Sequence, residues 1–412
     1  MVHGDVACTF WSATIFMKHW LCKSGWRLLP GLLVAGLTLI AARTDIGLSL
    51  EHRIYSHLFG VRGERPWDDR VTLIEIDGPS LTAIGQFPWP RHYYTDLLNR
   101  LALANSSVIA FDILFAESTD SDPALAEAMA HHGNVVLATA WNEQRGVIGP
   151  NADVVEGAIA TGHIHYHADA DGITRTYPSR INGIPALSIA AVQRYADNPT
   201  LENSDLLKQN LWLNWRGLTQ SAPRYSFVDV LSGEVPASTF ANKIVFIGFT
   251  GVGLDAMATP YDQTPPTAGV YQHIVAANNL LAQTHLKPII WPIWAMFMLL
   301  SPALGYWLSY QRLGVYGLAN VISIVVWGSA VILAFNHNYW MPSILPVSSV
   351  VATSLLTRLT QRLQENAGRQ QQLSKHAQST ALTRSLSLES PMGSQQSQSA
   401  DYGLPGRLDR CS

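Results

Sequence analysis

Three long apolar runs in the last third of the chain limit its possible folds more than any other feature. They are IIWPIWAMFMLLSPALGYWLS at 289–309, VYGLANVISIVVWGSAVILAF at 315–335 and YWMPSILPVSSVVATSLLT at 339–357. Each is close to the ~20 residues that a helix needs to cross the hydrocarbon core of a bilayer. Tryptophans and tyrosines lie toward their ends, as in the aromatic belts of membrane proteins. We therefore predict three transmembrane helices at these positions.

A fourth, shorter apolar run lies near the amino terminus. The segment LLPGLLVAGLTLIAA at 28–42 is flanked by Arg27 and Arg43, whose long side chains can reach the two membrane interfaces. We predict a transmembrane helix at 28–43. A cleaved signal peptide is the alternative interpretation, since small residues precede Arg43. Either interpretation exports the region that follows, so only the number of membrane anchors differs.

Lysines and arginines flank these four runs unevenly. Basic residues precede the first run, lie between the second and third, and follow the fourth, whereas the connection NHN at 336–338 has none. Cytoplasmic loops of membrane proteins are enriched in such charges, so both termini are predicted to be cytoplasmic. The chain then divides into a cytoplasmic segment at 1–27, an extracytoplasmic domain at 44–287, and a cytoplasmic short helix with a disordered tail at 358–412.

The predicted extracytoplasmic domain is acidic and lacks cysteine. Residues 45–287 contain 25 Asp and Glu against 15 Lys and Arg, a net charge of −10, within a chain whose formal net charge is −3. This charge argues against nucleic acid as a partner, because the phosphate backbone attracts basic surfaces. The three cysteines, Cys8, Cys22 and Cys411, lie outside the domain, so no disulfide can form within it.

Strand-like and helix-like segments alternate through this domain. Short β-branched and apolar runs predict strands at 70–77, 107–117, 134–141, 211–215 and 243–249. Apolar residues at helical spacing predict helices at 91–104, 122–132 with Asp122 as its cap, 185–196 and 267–283. Such alternation is typical of an α/β domain with a mainly parallel central sheet. The predicted fold class is therefore an α/β extracytoplasmic domain with an α-helical membrane region, one helix before it and three after it.

The last predicted strand runs into a glycine-rich stretch, VFIGFTGVGLDAMATPYDQTPPTAG at 245–269. A phosphate-binding loop would need its glycines to open a helix, so that backbone N–H groups meet the anion. Here Pro260, Pro265 and Pro266 follow too soon, and no Lys-Ser or Lys-Thr pair follows Gly253. We therefore expect no nucleotide site and interpret the stretch as the exit from the final strand of the sheet.

Five separated motifs resemble one known family. They are IEIDGPSL at 74–81, FPWPRHYY at 87–94, AFDILF at 110–115, DADGITRTYP at 169–178 and IVFIGFTGVGLDAMATPYDQTPPTAGVYQHIVAANNLL at 244–281. In this order and spacing they resemble a type-2 CHASE domain, an extracytoplasmic sensory module of bacterial signalling proteins. The resemblance covers about residues 28–358. It implies one membrane helix before the module, three after it, and an output through a cytoplasmic cyclase, kinase or diguanylate cyclase domain.

The chain departs from that family pattern at its carboxyl end. Only 54 residues follow Arg358, and the segment 374–412 is rich in serine and glutamine, the composition of a disordered tail. We predict a bacterial inner-membrane sensor whose large domain lies in the periplasm, whose ligand is undefined, and whose output domain is absent from this chain. An exported enzyme and an accessory component of a membrane transport complex are the alternatives. The last three apolar runs contain no Asp, Glu, Lys or Arg, which argues against a transport pathway.

Carboxylates at the ends of predicted strands are the first candidates for ligand contact. Asp77 and Asp112 lie at or near the carboxyl ends of strands, where ligands of open α/β sheets usually bind. The alternative is that they cap helices or bond loop amides. For Arg91 a structural salt bridge is favoured over an anion clamp. The full set of predicted ligand-binding residues is Asp77, Trp89, Arg91, Asp112, Phe115, Asp171, Arg175, Asp262 and His273.

Two other polar patterns have some features of metal sites. Asp169 and Asp171 begin a segment like a calcium loop, but its later ligands are missing, so a tight turn is favoured. On a strand, His163, His165 and His167 would share one face. Same-face neighbours lie ~6.6 Å apart, however, whereas Zn–N bonds are about 2.0 Å long. We therefore predict no metal, and we also predict no catalytic residue and no cofactor.

The segment after the last apolar run carries a leucine pattern. Spacings of three and four residues connect Leu356, Leu359, Leu363, Asn366, Gln370 and Leu373. Such spacing is typical of a coiled-coil seam, which the two polar members weaken. A frayed extension of the last helix is the alternative. We predict a homodimer whose contact includes this seam.

Overall fold

The computed structural model describes residues 29–142, 146–196, 208–251, 256–264, 266–289 and 291–388. Some sequence predictions lie outside the described residues, namely the cytoplasmic segment at 1–27, the end of the tail at 389–412 and Gly253 of the glycine-rich stretch. The described residues form an α/β domain that is joined to a group of long helices.

A seven-stranded sheet forms the centre of the α/β domain. Its strands are β1 (Val71–Ile76), β2 (Val108–Asp112), β3 (Val135–Asn142), β4 (Gly146–Ile148), β5 (Ala160–His163), β10 (Arg224–Ser226) and β11 (Ile244–Phe249). The strand order is β10-β1-β11-β2-β3-β4, with β5 also paired to β3. All pairs are parallel except β3 with β4. The predicted α/β fold with a mainly parallel sheet is confirmed.

Short two-stranded pairs lie outside this sheet. They are β6 (Thr176–Tyr177) with β9 (Leu211–Trp212), β7 (Arg180–Ile181) with β8 (Ile184–Pro185), β12 (Ala256–Met257) with β13 (Thr267–Ala268), and β14 (Lys287–Pro288) with β15 (Tyr339–Trp340). The predicted strand at 211–215 is therefore wrong in extent and place, because β9 ends at Trp212 and pairs with β6. The predicted strand at 107–117 is too long, because the chain leaves the sheet after Asp112 and buries Phe115 against the helices.

Helices cover both faces of the sheet. The helices of the described residues are α1 (Leu29–Ala41), α2 (Asp45–Arg62), α3 (Gly78–Ile84), α4 (Arg91–Leu103), α5 (Asp122–His132), α6 (Ala152–Val155), α7 (Leu187–Ala196), α8 (Phe227–Ser232), α9 (Val270–Leu281), α10 (Trp291–Ser309), α11 (Leu313–Asn336) and α12 (Ile344–Leu388). One core lies between the sheet and α4, α5 and α8, and a second lies between the sheet and α2, α7 and α9. This three-layer arrangement buries the central strands on both faces, which is why they read as continuous apolar runs.

The direction of α9 shows which edge of the sheet faces the long helices. Its first residue, Val270, packs against Gly248 at the carboxyl end of β11. Asn278, near its end, accepts a hydrogen bond from the backbone N–H of Asp68, which lies just before β1. The helix therefore runs antiparallel to the strands. The chain enters α10 from the amino edge of the sheet, and the carboxyl edge points the other way.

The apolar helices are less uniform than the sequence predicted. Among the described residues, α11 alone is long and apolar enough to cross a membrane by itself. Helices α1 and α2 pass the same criterion only together, and they are bent by 78° where they meet. In α10 the apolar stretch Ala295–Leu308 is shorter. Helix α12 contacts α10 and α1 along its first part, so these three helices pack as one group.

Helix α12 differs from its prediction at both ends. It begins at Ile344 rather than at 339, because Tyr339 and Trp340 pair as a strand with β14 and Pro342 holds the preceding residue out of the helical conformation. It continues to Leu388, so the predicted disorder is wrong for 374–388. That stretch contains alanine, leucine, glutamine, lysine and arginine, which favour helix despite its polarity.

Candidate functional site

Asp77 lies at the carboxyl edge of the sheet, directly after β1, and caps the next helix. Its Oδ1 accepts hydrogen bonds from Ser80 N at 3.0 Å and from Ser80 Oγ at 2.6 Å. The same oxygen accepts from Ser226 Oγ at 2.8 Å, at the end of the neighbouring strand β10. Asp77 is the N-cap of α3, so the helix-cap interpretation is confirmed.

Asp112, the last residue of β2, faces His273 on α9. Their closest atoms, Asp112 Oδ1 and His273 Nε2, are 3.9 Å apart. On the other side of the imidazole, Nδ1 lies 2.6 Å from the hydroxyl of Tyr177. That hydroxyl accepts hydrogen bonds from Ser188 Oγ at 2.8 Å and Ser188 N at 3.3 Å, so its own proton is directed to Nδ1. We call these four residues, Asp112, His273, Tyr177 and Ser188, the polar row.

The polar row is buried and holds a neutral imidazole. Burial, together with the nearby His163, lowers the pKa of His273 to about 3. Burial also lowers the pKa of His163 to about 4. The side chains of Tyr177, Ser188 and His273 are at most 1% exposed. Hydrogen bonds of the Tyr177 hydroxyl therefore join α7 and α9, and the imidazole of His273 lies 3.9 Å from Asp112 at the carboxyl edge of the sheet.

Trp89, Arg91 and Phe115 lie on the other face of the sheet, where Arg91 contacts Phe115. Arg91 Nε donates to Asp122 Oδ1 at 2.8 Å, and its Nη2 donates to the carbonyl of Glu117 at 2.8 Å. Its guanidinium lies 4.8 Å from the ring centre of Phe115. Trp89, Arg91 and Phe115 are all buried. The predicted structural salt bridge of Arg91 is confirmed.

Asp122 is not the cap of α5, so that prediction is wrong. It is the first residue of the helix, and Ser121 holds the cap position. The carboxylate instead accepts from Thr119 N at 2.7 Å and from Asn151 Nδ2 at 2.9 Å, besides Arg91. A buried carboxylate is stabilised most by charged and amide donors, and here these come from Arg91 at the start of α4 and from the neighbouring loops.

Arg175 is fully buried and ties a turn of the domain to α2. Its Nη1 donates to Asp169 Oδ2 and Asp171 Oδ1, each at 2.7 Å, and its Nη2 donates to Asp171 Oδ2 at 2.6 Å. Nη2 also donates to the carbonyl of His52 on α2 at 3.0 Å. Gly172 has φ +79° and donates to the carbonyl of Asp169 at 2.8 Å. The predicted tight turn is confirmed, and its two carboxylates neutralise Arg175.

Asp262 lies in a separate surface cavity near the end of α2. The cavity has a volume of about 290 Å³ and is bounded by Thr219, Tyr261 and Asp262 among others. Asp262 Oδ2 accepts from Thr219 N at 3.0 Å, and the hydroxyl of Tyr261 donates to the carbonyl of Gly63 at 2.8 Å. Burial raises the pKa of Asp262. This carboxylate therefore joins the loop that precedes α9 to the segment at 218–220.

The nine predicted ligand residues do not come together in one place. The groups are Trp89, Arg91 and Phe115 on one face of the sheet, Asp112 and His273 on the other, Asp171 and Arg175 against α2, and Asp77 and Asp262 apart from these. The histidine pattern also separates, because β5 ends at His163, which is buried, whereas His165 and His167 are exposed. Within the described ranges no group of three or more His, Cys, Asp or Glu could hold a metal ion.

Glu51 is the functional candidate that the sequence did not reveal. It lies on α2 and is only 2% exposed. Its Oε2 accepts from the backbone N–H of Ser343 at 2.5 Å, and its Oε1 accepts from Ile344 N at 3.0 Å and Leu345 N at 2.8 Å. These are the unpaired donors at the start of α12, where the helix dipole favours a negative charge. A lone glutamate whose partners lie almost 300 residues away gives no local sequence signal.

The connection between α11 and α12 is also held by the α/β domain. Arg65 Nη1 and Asn214 Nδ2 both donate to Asn338 Oδ1, at 2.7 and 2.9 Å. Trp212 of β9 stacks on Trp340 of β15 with ring centres 4.7 Å apart. Together with Glu51, these contacts fix the start of α12 to the domain. We call this set of contacts the α12 junction.

Comparison with known proteins identifies the family of the α/β domain. The family model described as CHASE2 domain matches residues 32–308, about two thirds of the 412-residue chain. CHASE2 is an extracytoplasmic sensory domain. No curated protein matches this chain, and no solved structure matches it either. The resemblance seen in the five sequence motifs is confirmed, and the chain belongs to the CHASE2 domain family.

Proposed function

We propose that this protein is a bacterial inner-membrane sensor. In this proposal the α/β domain detects a ligand or condition outside the cytoplasm, and α12 carries the response across the membrane. The CHASE2 match and the apolar helix α11 support a membrane-bound sensory role. The basic residues that follow the last apolar run support a cytoplasmic carboxyl end.

The contact of Glu51 with α12 is the observation that carries the proposal. At ~1.5 Å per residue, a helix of 45 residues is roughly 67 Å long, whereas the hydrocarbon core is about 30 Å thick. A single rigid element therefore runs from the α12 junction to well beyond the apolar bundle. A displacement of α2 relative to the sheet would act directly on the first turn of this helix through the buried carboxylate.

The carboxyl edge of the sheet is the proposed sensing edge. It points away from the amino edge, through which the chain enters α10. Ligands of open α/β sheets bind at the carboxyl ends of strands, where Asp77 and Asp112 lie. The polar row extends from this edge to α9, and α9 leads to β14 and α10. A ligand at the edge would therefore act on elements that end at the membrane helices.

Dimerisation through the far half of α12 completes the proposed relay. Leu359, Leu363 and Leu373 are 55–69% exposed, and Leu356 is half-buried. Leucines exposed along one helix are suited to pack against the same row of a second copy. The output is proposed to be a cyclase, kinase or diguanylate cyclase domain that reads the state of this paired helix.

Cross-linking in membranes tests the relay. Leu363→Cys is placed in a chain whose native cysteines are serine, with Glu51→Gln or, as the control, Glu64→Gln at an exposed carboxylate after α2. A neutral amide cannot replace a carboxylate that accepts three N–H bonds, so Glu51→Gln weakens the hold on α12 by about 1–3 kcal/mol. We expect disulfide formation at Leu363→Cys to change several-fold with Glu51→Gln and to stay unchanged with Glu64→Gln. Equal cross-linking with both substitutions, or none in any chain, would contradict the proposal.

A further inference from the structure

A second cavity lies beside the α12 junction, between β9 and β14. Its volume is about 220 Å³, and the side chains that line it include Gln209, Asn210, Trp212, His285 and Lys287. The two walls are held together by a hydrogen bond from Leu286 N to the carbonyl of Trp212 at 3.0 Å. The cavity is smaller than the ~300 Å³ at which pockets for drug-sized molecules begin. It suits a small polar group.

The polar atoms of this cavity favour an anion. His285 is 7% exposed, and its buried Nδ1 has no hydrogen-bond partner among the residues that the structure describes. Lys287 brings a positive charge, and the amides of Gln209 and Asn210 can donate hydrogen bonds. No Asp or Glu is among the described residues that line the cavity. Burial and the charge of Lys287 lower the pKa of His285, so its ring is neutral and can donate one hydrogen bond to an anion, from Nδ1 in the Nδ1–H tautomer.

The position of the cavity suggests where the anion comes from. Lys287 lies four residues before Trp291, the first residue of α10, and Trp340, which stacks on Trp212, lies four residues before α12. Under the proposed membrane arrangement, on which this step rests, the cavity opens at the outer surface of the bilayer. Phospholipid headgroups present phosphate at that depth.

We propose that this cavity binds a phosphate group, supplied by a phospholipid headgroup of the adjoining leaflet or by free phosphate. Lys287 provides the charge, His285 a buried ring nitrogen, and the two amides the remaining hydrogen bonds. An occupied cavity would join β9 to β14 and so tighten the domain onto the segment that enters α10. The bound phosphate would thereby set how firmly the domain is coupled to the α12 junction.

Native mass spectrometry of the full chain in non-ionic detergent tests this assignment. The probes are phosphatidylglycerol and diacylglycerol with the same acyl chains, and inorganic phosphate is added as a competitor. The variants are Lys287→Gln, which removes an exposed charge, and His285→Gln. The control is Lys243→Gln, the same change at a lysine that does not line the cavity.

We expect the unmodified chain and Lys243→Gln to retain phosphatidylglycerol and not diacylglycerol. Lys287→Gln and His285→Gln should each weaken retention about tenfold. Displacement by millimolar inorganic phosphate would assign free phosphate as the ligand, and resistance to it would assign the lipid headgroup. Equal retention of the two lipids, or retention by both cavity variants at the level of Lys243→Gln, would overturn the proposal. The solubilised chain has no membrane sides, so this result is independent of the proposed topology.

Discussion

Gly248 shows how one residue decides what the glycine-rich stretch does. A Cβ at this position would lie 2.5 Å from Val270 Cγ2 and 3.3 Å from Asp112 Cβ. Both neighbours belong to fixed elements, the first turn of α9 and the end of β2. The glycine is therefore needed for the close approach of α9 to the sheet. No helix begins among the described residues between Gly248 and Val270.

Gly248→Ala is expected to destabilise the full chain by about 1–3 kcal/mol, because the added methyl group overpacks a buried contact. For a domain of this size, each kcal/mol lowers Tm by roughly 2–4 °C. Gly78→Ala is the matched control, since no atom of the described residues lies within 4 Å of the added Cβ. Thermal unfolding in detergent, followed by tryptophan fluorescence, measures both. Equal Tm values for the two variants would show that α9 does not need this close approach.

The polar row gives a prediction about pH. The folded state holds His273 neutral until its pKa of about 3, whereas an unfolded histidine binds a proton below about pH 6.5. Between these values the unfolded state binds more protons, so stability falls as pH falls, by at most about 1.4 kcal/mol per pH unit for this group. The groups that face its ring are Asp112, Tyr177 and, further away, His163.

His273→Asn is therefore expected to lose less stability than the unmodified chain between pH 7 and pH 4.5, although it is less stable at pH 7. The control is His131→Asn, at an exposed histidine on α5 that lies outside the polar row. Tm measured across this range gives the slopes. A slope for His273→Asn equal to that of the unmodified chain would mean that the buried imidazole does not resist protonation.

At the scale of elements, the strands and helices of the domain were largely predictable, whereas their ends and partners were not. Runs such as 70–77 and 243–249 are apolar enough to identify buried strands from local pattern alone. The start of α12 at Ile344 depends on the pairing of Tyr339 with Lys287, about 50 residues earlier. Such a distant backbone partner leaves no periodic signal in the sequence.

In the candidate site, too, local features could be predicted from the sequence, whereas distant partners could not. Two features could be predicted from the sequence. Arg91 was expected to form a salt bridge, and the segment Asp-Ala-Asp-Gly at 169–172 was expected to form a tight turn. The partners were not predictable, because Arg91 is neutralised by Asp122 and Arg175 reaches back to α2. The role of Glu51 could not be predicted, because its three partners are backbone N–H groups. Every residue except proline has such a group, so the sequence does not mark these three.

At the scale of the whole molecule, one buried carboxylate, that of Glu51, joins the α/β domain to helix α12. The CHASE2 domain is held to α12 at the α12 junction, which includes Glu51, and α12 extends away from the domain. The proposed sensor requires that the domain and the far end of α12 lie on opposite sides of a membrane. That requirement is the central claim, and it depends on the apolar helices that connect the two parts.

Cysteine labelling in spheroplasts tests this claim most directly. Single cysteines are introduced as Asp153→Cys on α6 or Gln371→Cys on α12, both at exposed positions, in a chain whose native cysteines are serine. A maleimide that cannot cross membranes should label Asp153→Cys in intact spheroplasts and should label Gln371→Cys only after lysis. Labelling of Gln371→Cys before lysis, or protection of Asp153→Cys until lysis, would contradict the proposed sensor.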